Sequence, residues 1–202
     1  GTAYETNYAR LSALVDEVEH TVLLCDGAPA CASYFAISNG RTETSENVWG
    51  TALPYLVSVD SSTDLAADHY EYALTLSAQQ TAQQLAALGL TADLAAPEQW
   101  FGTPEYTAAG YVAALPVCGQ RITGTALRQA LGLRSTCFTV RYESGTFCFT
   151  TKGYGHGVGS ASGVPRHWPS RAELCRHPGP LLPRNFPVRI KKEPISRRRQ
   201  AL

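Results

Sequence analysis

Leu11, Leu14, Val15 and Val18 recur at helical spacing, so Tyr8 to Val18 predicts an amphipathic helix. Two β-rich runs, Thr21 to Cys25 and Cys31 to Ile37, flank an Asp26-Gly27 turn and predict a hairpin. Ser38 to Gly50 is polar and reads as a loop, and Leu53 to Val59 alternates as a strand. Tyr70 to Leu76 is another strand-like run. Ser77 with Gln80 three residues on is a capping-box signature. The helix it opens runs to about Leu88 and stops near Gly89. Tyr106 to Leu115 reads as extended, and Thr123 caps a short helix ending at Gly132. Phe138 to Tyr142 and Thr146 to Thr151 predict a hairpin around Ser144-Gly145. Gly153 to Gly159 holds four glycines in seven residues and predicts irregular backbone. Helices and hairpins mix in both halves, without an internal repeat. The expected class is therefore α+β, in two lobes spanning residues 1 to about 64 and about 65 to 159.

Composition supports a buried core: 44% of the 202 residues are hydrophobic and 17% charged. No apolar run reaches the length of a membrane span, and no signal peptide opens the chain. Methionine is absent even at Gly1, so the start reads as internal to a longer product. The net charge of zero hides an asymmetry. Up to Gly159 there are 7 Lys and Arg against 15 Asp and Glu, and from Ser160 onward 10 against 2. That tail also holds 7 of the 12 prolines, marking a different kind of polypeptide. It reads either as a disordered segment or as an arm for nucleic acid or another anionic surface.

Cys25 and Cys31 flank a turn-rich stretch that would bring their thiols near each other. They read as buried thiols, as a candidate disulfide, or as half of a metal site lacking two further ligands; no CxxC or HxxxH spacing supplies those. Cys118, Cys137 and Cys148 lie in apolar or strand-like settings and read as core.

Three strings carry candidate chemistry. Ser38 to Glu46, with Trp49-Gly50 and Leu53-Pro54-Tyr55-Leu56, combines short hydrogen-bonding side chains, two carboxylates and two aromatics. That mixture suits a sugar, whose hydroxyls bind polar side chains and whose ring faces stack on Trp or Tyr. It equally suits a solvated loop held by Asx turns, with Trp49 and Tyr55 as anchors. Glu43 and Glu46 are a candidate carboxylate pair of the glycosidase type. In the second string, Gly119 to Thr136, Arg128 and Arg134 either pair with acids or hold an anionic substrate group. The third string, Gly153-Tyr154-Gly155-His156-Gly157-Val158-Gly159, is either a structural turn or a loop whose backbone approaches a ligand beside a titratable imidazole. It lacks the Lys-Ser/Thr of a phosphate loop.

In this order the strings SNGRTETSENVWG with LPYLVSVDS, ITGTALRQALGLRST and GYGHGVG resemble the stage II sporulation protein D family, from Ala3 to Gly159. The resemblance implies an exported protein of the cell wall or membrane surface. It would act on peptidoglycan glycan strands as a lytic transglycosylase, cutting strands stripped of stem peptides during engulfment of the forespore. Some relatives are called amidase enhancers, which implies a cell-wall amidase as a second partner; nucleic acid is not expected. The resemblance assigns substrate binding to Ser38, Asn39, Gly40, Thr42 and Glu43 of the cleft loop and to Tyr154 and His156 of the glycine loop. It implies no metal and no cofactor. The family's catalytic glutamate precedes a Lys-Ala-Gln-Ala-type helix, and neither segment occurs here, so the chain alone is expected to be inactive, with no catalytic residue assigned.

The tail departs from the family's ending. Back-translated with synonymous codons and read in a shifted frame, Ser160 to Ala172 and Leu174 to Pro183 give strings of the expected type in the expected order. The expectation is two small insertions or deletions, near Gly159 and Ala172, leaving residues 160–202 disordered. Cys175, His167, His177 and Arg197-Arg198-Arg199 then carry no functional weight.

Overall fold

The computed structural model describes residues 2–18, 21–162 and 188–192. They fall into two compact units divided between Ala32 and Ser33, with Val188–Lys192 joining the first. The boundary expected near residue 64 lies inside the second unit.

In the first unit, α1 (Thr2–Val18) begins earlier than its apolar spacing predicts and buries no residue. Leu11, Leu14, Val15 and Val18 are each more than half exposed. Strand β1 (Thr21–Cys25) turns directly into β2 (Ala28–Pro29). Asp26 and Gly27 take φ of 51° and 81°, the left-handed pair that a two-residue hairpin turn requires. The return strand therefore starts three residues before the expected Cys31. Val188–Lys192 pairs antiparallel on the other edge of β1. Most of the tail expected to be frameshifted and disordered, 163–187 and 193–202, lies outside the described residues. Where it is described, Ser160–Ala161 and Val188–Lys192 are paired strands instead.

The second unit is α+β, as expected. Its elements are β3 (Tyr34–Phe35), α2 (Ser45–Trp49), β4 (Glu71–Ser77), α3 (Ala78–Ala86), β5 (Glu105–Tyr106) and β6 (Val112–Val117). They continue with β7 (Gln120–Thr123), α4 (Gly124–Leu131), β8 (Phe138–Glu143), β9 (Thr146–Lys152) and β10 (Ser160–Ala161). Two antiparallel sheets run in the orders β4-β9-β8 and β5-β6-β7, and β10 pairs parallel with β3. The capping box forms as read: Ser77 Oγ accepts from Gln80 N–H at 3.2 Å, and Gln80 Oε1 accepts from Ser77 N–H at 2.9 Å. Thr123 caps α4, and Gly132 closes it with φ 64°.

Three expectations are corrected. The polar loop contains α2, capped by Thr44 and ended by left-handed Gly50. Leu53 to Val59 is not a strand, because its backbone is bonded to the cleft loop: Leu53 N–H donates to Ser45 Oγ at 2.8 Å, Val59 N–H to Thr42 Oγ1 at 2.9 Å. Ser45 N–H and Thr42 N–H donate to the Leu56 and Val59 carbonyls. Finally, β6 and β7 form an unforeseen hairpin, with Cys118 and Gly119 at φ 48° and 79°. Cysteine rarely takes this turn position, so the sequence carries little sign of it.

The core lies between the β4-β9-β8 sheet, the two longer helices of this unit and β6. It gathers Leu85, Leu115, Leu127, Leu131, Phe147 and Phe149, all at most 2% exposed. Burying such a side chain contributes about 1.5–3 kcal/mol each. Trp100 and Phe101 stack and edge onto Phe147, each with ring centroids at 5.2 Å. No helix among the described residues is long and apolar enough to cross a membrane.

The glycine loop is laid directly on this scaffold. Tyr154 exchanges both backbone hydrogen bonds with Ile37, at 2.7 and 2.9 Å, and Gly153 N–H donates to the Tyr70 carbonyl at 2.7 Å. At Gly153, φ is 77° and a Cβ would sit 2.6 Å from the Ile37 carbonyl oxygen. Gly145 has a similar φ of 83° but open space around its Cα. A Gly145→Ala variant should therefore lose only the left-handed backbone penalty, about 1–2 kcal/mol. Gly153→Ala should lose clearly more, because a fixed carbonyl must also move. Urea unfolding of the two variants beside the wild type measures the difference.

Candidate functional site

A pocket of about 310 Å³ opens between α2, the Thr107–Tyr111 turn and the start of α4. Glu43, Asn47, Thr107, Tyr111, Thr125 and Thr136 supply polar groups to its wall, with Thr123, Val48, Val112 and Ala113 completing it. Glu43 is its one carboxylate and is 2% exposed.

Local sequence explains how a carboxylate comes to be buried there. Thr44 caps α2 by accepting from Asn47 N–H, which sets Glu43 immediately before the helix and Asn47 one turn on. Glu43 Oε1 accepts from Thr44 N–H at 2.7 Å and from Asn47 Nδ2 at 2.9 Å. Its Oε2 accepts from the Thr107 hydroxyl. All three contacts use the carboxylate as the acceptor. Its backbone N–H donates to the Gly157 carbonyl at 2.8 Å. Thr107 is itself fixed by Tyr111, whose N–H donates to Thr107 Oγ1 at 3.3 Å. The Tyr111 hydroxyl donates to the Arg41 carbonyl at 2.8 Å and accepts from Asn39 N–H at 3.2 Å. Burial pushes its pKa well above the usual tyrosine range, so it stays a neutral strut.

The remaining cleft-loop residues face the protein. Ser38 is fully buried: its N–H donates to Asp64 Oδ2 at 3.0 Å and its hydroxyl accepts from Gly40 N–H at 3.1 Å. Asn39 makes an Asx turn with Arg41 N–H and donates to the Ala109 carbonyl. Gly40 packs on Leu65 with φ 105°. The Thr42 hydroxyl bridges Val57 O and Val59 N, at 3.1 and 2.9 Å. Of the seven residues assigned to substrate by resemblance, Glu43 alone lines the pocket. Glu46 is exposed and does not line it.

Tyr154 and His156 belong to a neighbouring surface. Tyr154 is 48% exposed. The Arg134 guanidinium carbon lies 3.7 Å from the Tyr72 ring centroid and 5.4 Å from that of Tyr154. His156 sits beside Trp49 and Phe35, with ring centroids at 5.4 and 5.7 Å. Its Nδ1 accepts from Val158 N–H at 3.1 Å, and the ring also hydrogen-bonds the Tyr34 backbone. Burial lowers the His156 pKa and the Arg128 charge adds to that, against the Tyr34 bond. The imidazole is thus a neutral clamp on the loop. At Gly157 a Cβ would lie 3.1 Å from the Tyr111 ring. The glycines therefore serve close approach of backbone to protein.

Cys25 is a buried thiol directed at Asp26 Oδ2, 3.9 Å away, and Cys31 is exposed; no disulfide joins the two in the structure. Thr107, Tyr111, Thr125 and Thr136 were missed from the sequence. They lie 64 to 93 residues from Glu43, Thr107 and Tyr111 in ordinary contexts and Thr125 and Thr136 within the second candidate string, where the arginines drew the reading instead.

Two outcomes follow. Glu43→Ala leaves Thr44 N–H, Asn47 Nδ2 and the Thr107 hydroxyl without their acceptor and should cost about 1–3 kcal/mol of stability in urea unfolding. Because the folded pKa of His156 is depressed, the stability it confers is present above pH 6.5 and lost as the pH falls through the folded value. The melting temperature should drop between pH 7.5 and 5. His156→Asn, whose side-chain oxygen can accept from Val158 N–H, should remove part of that drop.

No family model matches the chain. The stage II sporulation protein D of Bacillus subtilis (strain 168) and that of Bacillus amyloliquefaciens are each 34% identical to it over 159 residues, 79% of this chain and 45% of theirs. The chain thus spans less than half the length of these curated relatives. With both relatives bearing the same name, and the same three strings read from the sequence, the chain belongs to the stage II sporulation protein D family.

Proposed function

We propose that this chain carries the glycan-binding cleft of a sporulation cell-wall protein, exported to act on peptidoglycan strands. The observation that supports this most is the pocket itself: one buried carboxylate held by three donors, ringed by threonine hydroxyls, an asparagine amide and a tyrosine edge. Sugar hydroxyls and acetamido groups are bound by such short, pre-oriented polar groups, and exposed Trp49 stands at the end of α2 to stack on a ring. The finer reading is part of a lytic transglycosylase for strands stripped of stem peptides. Glycosidic cleavage needs a carboxyl group that can deliver a proton to the bridging oxygen. Glu43 is instead occupied as an acceptor of three hydrogen bonds, so this chain alone binds and does not cut.

That occupation also favours a second reading, a non-catalytic wall binder that enhances an amidase. Incubating the full chain with purified glycan strands, with and without stem peptides, separates these. Pull-down should retain the chain on stripped strands, with no release of 1,6-anhydro ends. Release of such ends would overturn the assignment of Glu43 as a binding group. No retention on either substrate would overturn the glycan reading. Faster peptide release by an added cell-wall amidase would support the second reading over the first.

A further inference from the structure

We propose that Arg134, with Arg128 beside it, forms a carboxylate-binding subsite, and that on a glycan strand it takes the lactyl carboxylate of a muramic acid residue bearing no peptide. The inference rests on the glycan-binding reading of the adjacent pocket.

Two cations lack an acidic partner among the described residues. Arg121 shows the ordinary fate of a surface arginine: its Nε and Nη2 meet Glu105 at 3.0 and 2.6 Å. Among the described residues no carboxylate pairs with Arg128 or Arg134. Arg134 is instead stacked on Tyr72 and flanked by Tyr154, both exposed at the surface. Stacking covers the faces of a guanidinium and leaves its in-plane N–H groups at the edge, the geometry that grips a carboxylate with two parallel bonds. The rings also hold the plane in place, so little side-chain freedom is lost on binding.

Arg128 supports the same site from beneath. Its Nε donates to the carbonyls of Leu133 and Arg134, at 3.2 and 3.3 Å, fixing the backbone that presents Arg134. Burial lowers its pKa, against a smaller rise from Tyr154, as for a cation stripped of part of its water.

The subsite adjoins the pocket through two helices. On α4, Thr125 lines the pocket and Arg128 follows three residues later on the same face. On α2, Asn47 and Val48 line the pocket while Trp49 meets His156, which feels the charge of Arg128. Thr136, two residues after Arg134, also lines the pocket, so the segment that carries the arginine helps build the pocket wall. The lactyl ether of muramic acid ends in a free carboxylate when no peptide is attached and in a neutral amide when one is. A guanidinium fork distinguishes the two chemically.

The test is calorimetric titration of the full chain with three oligosaccharides of equal length. These are an alternating N-acetylglucosamine–muramic acid oligomer with free lactyl carboxylates, the same oligomer with those groups converted to amides, and a chitin oligomer. The free acid should bind about tenfold tighter than the amide or the chitin oligomer. Arg134→Gln should remove that advantage without changing binding of the other two, and Arg134→Lys, keeping charge but not the fork, should restore only part of it. Equal binding of acid and amide by the wild type would overturn the subsite while leaving the pocket reading intact. So would a uniform loss for all three ligands in Arg134→Gln, with circular dichroism unchanged, which would mark Arg134 as a general contact. Binding of none of the three would remove the pocket reading, and the subsite with it.

Discussion

Glu43 joins the start of α2 to two stretches of chain far from it in sequence. Through its side chain it holds the first turn of α2 and the Thr107–Tyr111 turn. Through its backbone it holds the glycine loop at Gly157. A buried carboxylate is costly unless its oxygens are satisfied, so each of the three donors is required by the others. Once they are fixed, the pocket wall follows. Tyr111 braces Asn39 and Arg41, the Thr42 hydroxyl braces Val57 and Val59, and the loop that looked solvated in the sequence becomes a rigid frame.

That frame divides the labour among residues that the family resemblance groups together. Ser38, Asn39, Gly40 and Thr42 spend their polar groups on the protein itself. Glu43 faces the pocket, and Tyr154 and His156 face a separate aromatic and cationic surface. The glycines of the third string serve this division: each alternate position must admit a neighbouring carbonyl, ring or, at Gly155, the Phe35 Cβ, and a side chain would push the loop off the frame. The result is a polar pocket whose carboxylate is an organiser, together with Arg134 held by aromatic rings and Arg128 by backbone carbonyls.

Local chemistry was legible in the sequence wherever it was complete within a few residues. The Ser77 capping box, the Thr123 cap, the Gly132 stop and the Ser144-Gly145 turn all carry their own partners. Leu53 to Val59 was misread because alternation reports which side chains are buried, not where the backbone bonds go, and here they go to hydroxyls of the cleft loop. The start of the first hairpin was misplaced because β-rich composition at Cys31 to Ile37 outweighed a two-residue turn that permits no delay. The α+β class was legible from the mixture of periods. The site was legible only in part: Glu43 lies in a distinctive string, whereas Thr107 and Thr136 are unremarkable threonines brought to it by the sheet and turn geometry. That no carboxylate pairs with Arg128 or Arg134 among the described residues is a property of the fold, since the acidic stretch up to Gly159 offers many partners on paper.

The central claim is that sugar is bound in the Glu43 pocket. Amide chemical-shift mapping of the isotope-labelled chain, titrated with the muramic acid disaccharide unit, addresses it most directly. The account predicts that the largest shifts fall on Asn47, Thr107, Ala113, Thr125 and Thr136, with the core strands β8 and β9 undisturbed. Shifts confined to residues away from that wall, with these five unchanged at saturation, would contradict it.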